Sequence, residues 1–173
     1  MNIIKTNRLL IRRIEKDDIG ILLKIYNKEE NMRYISSGRY DWSYAELEEK
    51  YTQINVNHKM GIGIFTVELK ETNEIIGEAG LFNSFDIPNI LELGYIIDVL
   101  YWNKGFGKEI LNGLIDYAFH SLKTKTLIAR MYANNIASVK LSETCGMTKI
   151  KEELANNNHK VFVYELKNKA YSI

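Results

Sequence analysis

Residues 92–108 read Glu-Leu-Gly-Tyr-Ile-Ile-Asp-Val-Leu-Tyr-Trp-Asn-Lys-Gly-Phe-Gly-Lys, and the reading of this stretch decides the fold. It opens on an apolar run rich in β-branched residues and crosses a short turn with two glycines. Beyond the turn, Phe106, Ile110, Leu111, Leu114, Ile115, Ala118 and Phe119 make an apolar stripe at helical spacing. The pattern predicts a strand over Ile90–Val99 and the strongest helix of the chain over Lys104–Ser121. Glycines at such a junction let a ligand approach the backbone, and the free N–H groups and positive dipole end of the helix make a site for a pyrophosphate. Lys104 and Lys108 add positive charge there. A plain tight turn would use Gly105 and Gly107 equally well, so the glycines alone leave both readings open. Two rival phosphate motifs are absent: there is no G-x-x-x-x-G-K-[ST], and the third glycine of a dinucleotide fingerprint would fall on Ile110.

Working outward, two further strands are predicted upstream, Gly63–Leu69 and Ile75–Asn83. The polar turn Lys70–Glu74 joins them, and a loop carrying Pro88 leads on to Ile90. Nearer the start lie a strand over Arg8–Ile14, a helix from Asp17 with Asp17 and Asp18 as candidate caps, and a helix over Ser43–Ile54. Downstream come a strand over Thr126–Tyr132, a short helix over Asn135–Thr144 ended by Gly146, and a final strand over Val161–Leu166. The order β-α-α-β-β-β-α-β-α-β implies an α/β fold, with a central mixed, mostly antiparallel sheet flanked by helices. No repeat or flexible linker interrupts it, so residues 1–173 read as a single domain.

Composition narrows the function classes. Apolar residues at 46% and charged residues at 26% fit a globular chain and exclude disordered or collagen-like ones. Lys plus Arg number 23 against 22 Asp plus Glu, a net charge of +1 that gives no footprint for nucleic acid. The start, MNIIKTNRLLIRR, holds neither a signal-peptide core nor a membrane span. Cys145 is the only cysteine, and His58, His120 and His159 are scattered, so no metal site and no internal disulfide is expected. A soluble, cytoplasmic protein, monomer or homodimer, with no membrane partner is the expectation.

The run from Glu92 to Gly107 resembles the acyl-CoA-binding motif of the GNAT superfamily of N-acetyltransferases, in which [QR]-x-x-G-x-[GA] opens the central helix. Asn135-Ile-Ala-Ser138, with Leu141, Glu143 and Gly146-Met147, is similar to the N-x-x-S…E-x-x-G-[FY] segment of that superfamily. Thr6-x-Arg8-Leu9-x-Ile11-Arg12 with Asp18, and Asn31-Met32-Arg33-Tyr34, resemble the RimJ/RimL-like subgroup that acetylates ribosomal protein N-termini. Four segments in the family order span about residues 5–166. The resemblance implies acetyl-CoA as co-substrate, with no metal. It assigns the cofactor to the turn of Trp102, Asn103, Lys104, Gly105, Phe106, Gly107 and Lys108, to backbone groups of Ile97 and Val99, and to Asn135 and Ser138. Trp102 stands at the Gln/Arg position and Asn103 at a frequent glycine. Ser142 occupies the position where many members carry the tyrosine that protonates the departing thiolate.

Acetyl transfer to an amine needs a proton acceptor, donors for the oxyanion and a means of stabilising the leaving thiolate. Glu92 is the candidate general base: the family often uses a glutamate there, and burial in a sheet raises the basicity of a carboxylate. The bland alternative is a glutamate on the sheet surface, alternating outward from Leu91 and Leu93. Asp98 is a weaker candidate that serves equally as a cap. Asn135 and Ser138 share a helix face, and Asn135 serves equally as an N-cap. Ser142, one turn further, keeps a hydroxyl near the thiol. Cys145 reads as packing rather than as a nucleophile, and the three histidines as surface residues. The implied acceptor is a protein or peptide N-terminal α-amine, with a small polyamine, amino acid or aminoglycoside as alternative and a non-catalytic acyl-CoA-binding module as the rival from another class. Loops at Asn27–Tyr44 and Ala155–His159, with Glu29 and Glu30 to attract a cation, are the candidate acceptor side.

Overall fold

The computed structural model describes residues 2–35, 38–85, 87–155 and 158–171. Eight strands form one sheet: β1 (Asn2–Lys5), β2 (Leu9–Arg13), β3 (Gly63–Leu69), β4 (Ile75–Phe82), β5 (Ile90–Ile97), β6 (Thr126–Tyr132), β7 (Thr148–Leu154) and β8 (Lys160–Lys167). They lie in the order β1-β2-β3-β4-β5-β6-β8-β7. Every neighbouring pair is antiparallel except β5 and β6. The helices are α1 (Ile19–Tyr26), α2 (Glu29–Met32), α3 (Tyr44–Ile54), α4 (Phe106–Asp116) and α5 (Ile136–Thr144). No helix among the described residues is long and apolar enough to cross a membrane.

The sheet's two faces follow from the period of two along each strand. On one face Phe65, Val67, Ala79, Leu81 and Leu93 pack against Phe106, Ile110, Leu111 and Leu114 of α4 and Ala118 just beyond it, all buried. On the other, Ile64 and Ile96 meet Ile19, Leu22, Ile25 and Tyr26 of α1 with Leu47 and Tyr51 of α3. The predicted stripe of the long helix is therefore its buried face. Beyond Asp116 the chain continues as a π-helical stretch over Tyr117–Ser121.

Three elements go beyond the sequence expectation. Strand β1 and the short helix α2 were unpredicted, and so was β7, whose side chains are nearly all exposed. β7 lies at the sheet edge and buries almost nothing, so the apolar alternation that marks a half-buried strand has no reason to exist in Thr148–Leu154. Asp18, expected as a helix cap, accepts from the Glu15 N–H at 2.8 Å but also holds Arg12 at 2.6 and 2.9 Å and the Thr66 hydroxyl at 2.8 Å. It ties the approach to α1 onto β2 and β3.

The parallel pair creates the opening that matters. Ile90, Leu91 and Glu92 register against Thr126, Leu127 and Ile128, and there the pairing ends. Past Glu92, β5 stays with β4 while β6 turns to β8, so the two strands part in a V. The Asp98 N–H donates to the Ile76 carbonyl at 2.8 Å, toward β4. By alternation, the main-chain groups of Tyr95 and Ile97 point to the other edge, into the split.

Candidate active site

The chain leaves β5 through a turn whose geometry explains its composition. The Asp98 side chain accepts from the Leu100 N–H at 3.2 Å, capping the single 3₁₀ turn Val99–Tyr101. Lys28 Nζ holds the same carboxylate at 2.9 and 2.7 Å. Asp98 is thus a buried, paired cap. Asn103 (φ 59°) and Gly105 (φ 80°) both take the left-handed conformation, which Asn and Gly adopt most cheaply. Asn103 can therefore replace a glycine without losing the turn. Gly105 then caps α4, whose first N–H groups have no partner within the helix. A Cβ on Gly107 would stand 3.0 Å from Leu141 Cδ2 and 3.6 Å from Ile97 Cδ1, so its absence lets α5 and β5 close in on the helix start.

Turn, split and α5 enclose a cleft of about 340 Å³. Of the residues predicted for the cofactor, Ile97, Trp102, Asn103, Gly105, Phe106, Gly107, Lys108, Asn135 and Ser138 line it. Asn135 caps α5 through its side-chain oxygen, which accepts from the Ser138 N–H at 3.3 Å. The Trp102 indole N–H donates to the Ile97 carbonyl at 2.7 Å, leaving the Ile97 N–H as the group directed into the split. α2 supplies the opposite wall through Glu30 and Asn31, followed by Tyr34 and Ile35.

Four predicted residues sit differently. The Val99 N–H donates to Asn31 Oδ1 at 2.8 Å and Val99 does not line the cleft, so it is held by α2 rather than offered to a pantetheine arm. Lys104 is outside the lining and near the ring of Tyr101, and its carbonyl accepts from Arg8 Nη1 at 3.0 Å. Ser142 is buried between α5 and β6, with its hydroxyl directed at Met131 Sδ at 3.8 Å and not at the cleft. Glu92 is paired in bidentate fashion with Arg130, at 2.8 and 2.7 Å, at the point where β5 and β6 part. Its carboxylate is neither bare on the surface nor desolvated alone.

The remaining titratable candidates resolve simply. Burial pushes the Cys145 thiol pKa up against the opposing pull of Lys108, which keeps it a thiol. His58, expected at the surface, is half-buried: it stacks on Phe65 at 5.0 Å, bonds the Ile64 carbonyl at 2.9 Å, and its pKa is lowered by burial. His120 is exposed and pairs with Asp116, and His159 packs near the Tyr132 ring. Among the described residues no three His, Cys, Asp or Glu side chains are grouped to hold a metal ion.

Several participants have no site role assigned to them from the sequence, Thr6 and Arg8 being noted only as part of a family segment. Arg8 straps the turn in place: its guanidinium lies 4.2 Å from the Phe106 ring centroid, and its Nε donates to Glu109 at 2.7 Å. The Thr6 hydroxyl donates to the same carboxylate at 2.6 Å. Tyr95 lines the cleft, with its hydroxyl 3.4 Å from Ser138 Oγ. On the other face, buried Glu78 accepts from Tyr26 and, at 2.6 Å, from Tyr51, with Lys50 Nζ 3.8 Å away.

A parting parallel pair, a left-handed turn and a helix start all face one opening. The model of the acetyltransferase (GNAT) domain matches residues 8–148. The chain belongs to the GNAT acetyltransferase family. Its relatives include the uncharacterized N-acetyltransferase p20 of Bacillus licheniformis, 30% identical over 86% of this chain and 84% of that protein. A spermidine N(1)-acetyltransferase of Vibrio cholerae is 29% identical over 81% of this chain and 79% of its own length. The ribosomal-protein-S5-alanine acetyltransferase of Vibrio fischeri shares the fold, with a TM-score of 0.83 at 19% identity over 98% of both chains. The GNAT chain described here is an N-acetyltransferase, built as a single mixed α/β sheet with helices on both faces.

Proposed function

We propose that this enzyme moves the acetyl group of acetyl-CoA directly to the α-amine at the N-terminus of a peptide or protein. The parting of β5 and β6 beyond Glu92 carries the cofactor half of the reading. It leaves the N–H of Ile97 for an amide-bearing arm, and the N–H of Tyr95 for the oxyanion that forms when the amine attacks the thioester carbonyl. At the mouth, the α4 N–H groups and Lys108 suit a pyrophosphate. Glu92, fixed by Arg130, takes the amine proton through water, and Asn135 and Ser138 flank the arm.

The acceptor half rests on charge. Glu30 is the one carboxylate in the cleft lining among the described residues, while Glu78 is already met by Tyr26, Tyr51 and Lys50. One free carboxylate suits one ammonium group. A small polyamine is the second reading, favoured by the 29% identical spermidine acetyltransferase. A panel of short peptides with free and blocked N-termini, set beside spermidine and spermine, tests this through thiol release and product mass. Peptide N-termini should turn over at least about tenfold more efficiently than polyamines, and the reverse order would make the chain a polyamine enzyme.

A further inference from the structure

The reading above leaves the departing sulfur without a donor, because the Ser142 hydroxyl is spent on Met131 Sδ in a buried position. We infer that the phenol of Tyr95 supplies the hydrogen bond to the CoA sulfur as the thioester breaks. The inference rests on the acetyl-CoA reading of the cleft.

The argument is topological first. Along the split, the groups run from the Gly105–Lys108 turn at the mouth, through Ile97, to Tyr95, and then to the rejoining of the strands at Glu92 and Ile128. An arm anchored by its pyrophosphate at the mouth and extended along β5 brings its far end, the thioester, to the Tyr95 level. The Tyr95 side chain crosses from β5 to α5, lines the cleft and meets Ser138 Oγ at 3.4 Å. Ser138 is fixed in turn by the Asn135 cap on its N–H. Tyr34 and Tyr101, the other tyrosines of the lining, lie on the α2 side and at the outer turn. Burial pushes the Tyr95 pKa up, so the phenol stays protonated and able to donate throughout the neutral range.

The chemistry balances with this assignment. The amine nitrogen attacks the carbonyl carbon, the tetrahedral intermediate collapses, and the C–S bond breaks with its electron pair on sulfur. Tyr95 O–H stabilises that thiolate by a charge-assisted bond. The proton released by the amine equals the one the sulfur takes up from solvent, so the products are an amide and CoA thiol. A strand phenol thereby meets the need that a helix tyrosine at position 142 meets in many members of the family.

The test titrates the thiol of CoA bound to the full-length protein, by thiolate absorbance against the CoA-free protein. Bound to wild type, CoA should ionise at lower pH than free CoA. In Tyr95→Phe its apparent pKa should rise by about one unit or more, matching a tenfold or larger loss of thiolate stabilisation. With acetyl-CoA and an accepted amine, kcat should fall about 10- to 100-fold while KM for acetyl-CoA holds. A folded Tyr95→Phe protein with wild-type thiol titration and kcat overturns the inference. If that variant does not fold, wild type still decides: bound CoA ionising at or above the pH of free CoA overturns it. A wild-type protein that binds no CoA overturns the cofactor reading itself, a distinct outcome.

Discussion

At the residue scale the site is a set of charges each held by a specific partner. Lys28 holds Asp98, Arg8 holds Glu109, and Arg130 holds Glu92. The last pair decides what Glu92 can do. A carboxylate bound through both oxygens to a guanidinium is rigidly aimed, and it keeps lone pairs for an ordered water. Glu92→Gln retains the shape and removes the basicity. It should lower kcat/KM on an accepted amine by about 10²- to 10⁴-fold, the range of general-base assistance, with CoA affinity unchanged. A glutamate that only balances Arg130 at the surface would change stability by about half a kcal/mol and the rate hardly at all. Steady-state kinetics at pH 7 separate these outcomes, and a wild-type rate in the variant moves the proton to another acceptor.

At the element scale, legibility in the sequence tracks how much of its own signal an element carries. α4 announces itself through a buried stripe, and α3 more weakly through Leu47 and Tyr51, which the structure buries. The turn after β5 is legible because Asn103 and Gly105 must take left-handed φ. The edge strand β7 buries nothing and so carries no period. Nor was it legible which way the Val99 N–H points or how Ser142 is rotated, because these depend on β4, Asn31 and Met131, which come from distant parts of the chain. The Arg12–Asp18–Thr66 cluster shows the same dependence and gives a pH prediction. Burial works to raise the Asp18 pKa, but Arg12, the Glu15 N–H and Thr66 outweigh it, and the net shift is downward. A folded-state pKa below the unfolded one means the carboxylate stabilises the fold at neutral pH, and this stability is lost as pH falls through the folded value. Asp18→Asn should cost about 1–3 kcal/mol at pH 7, because half-buried Arg12 loses one of its two carboxylates and keeps Glu68 at 2.8 Å. Urea midpoints should show the gap between variant and wild type closing as pH falls below the ordinary carboxylate range. A gap constant with pH would mean the carboxylate's charge contributes nothing there.

At the scale of the whole molecule, the sheet is continuous on both sides of one opening. β1 to β5 pair without interruption, β6, β8 and β7 do likewise, and only three residues of β5 register with β6. The two halves are joined besides by the Glu92–Arg130 pair and by α4 and α5, which meet at Gly107 and Leu141 beside the split. A ligand that fills the cleft therefore bridges strand edges that the fold leaves apart, and its binding energy adds to the stability of the whole domain. At a CoA concentration about a hundredfold above its dissociation constant the gain is about 2.7 kcal/mol, which for a chain of this length raises Tm by roughly 5–10 °C. Gly107→Val places a branched side chain where Leu141 already stands 3.0 Å from an ideal Cβ, so the end of the Leu141 side chain must give way and the added methyls narrow the cleft at the helix start. That variant should melt lower than wild type without ligand and gain little from the same CoA. Thermal denaturation of both proteins with and without CoA checks the pair of expectations. A Gly107→Val protein stabilised as strongly as wild type would show that the pyrophosphate does not depend on this turn, and a wild-type melt unmoved by CoA would take the ligand out of the split altogether.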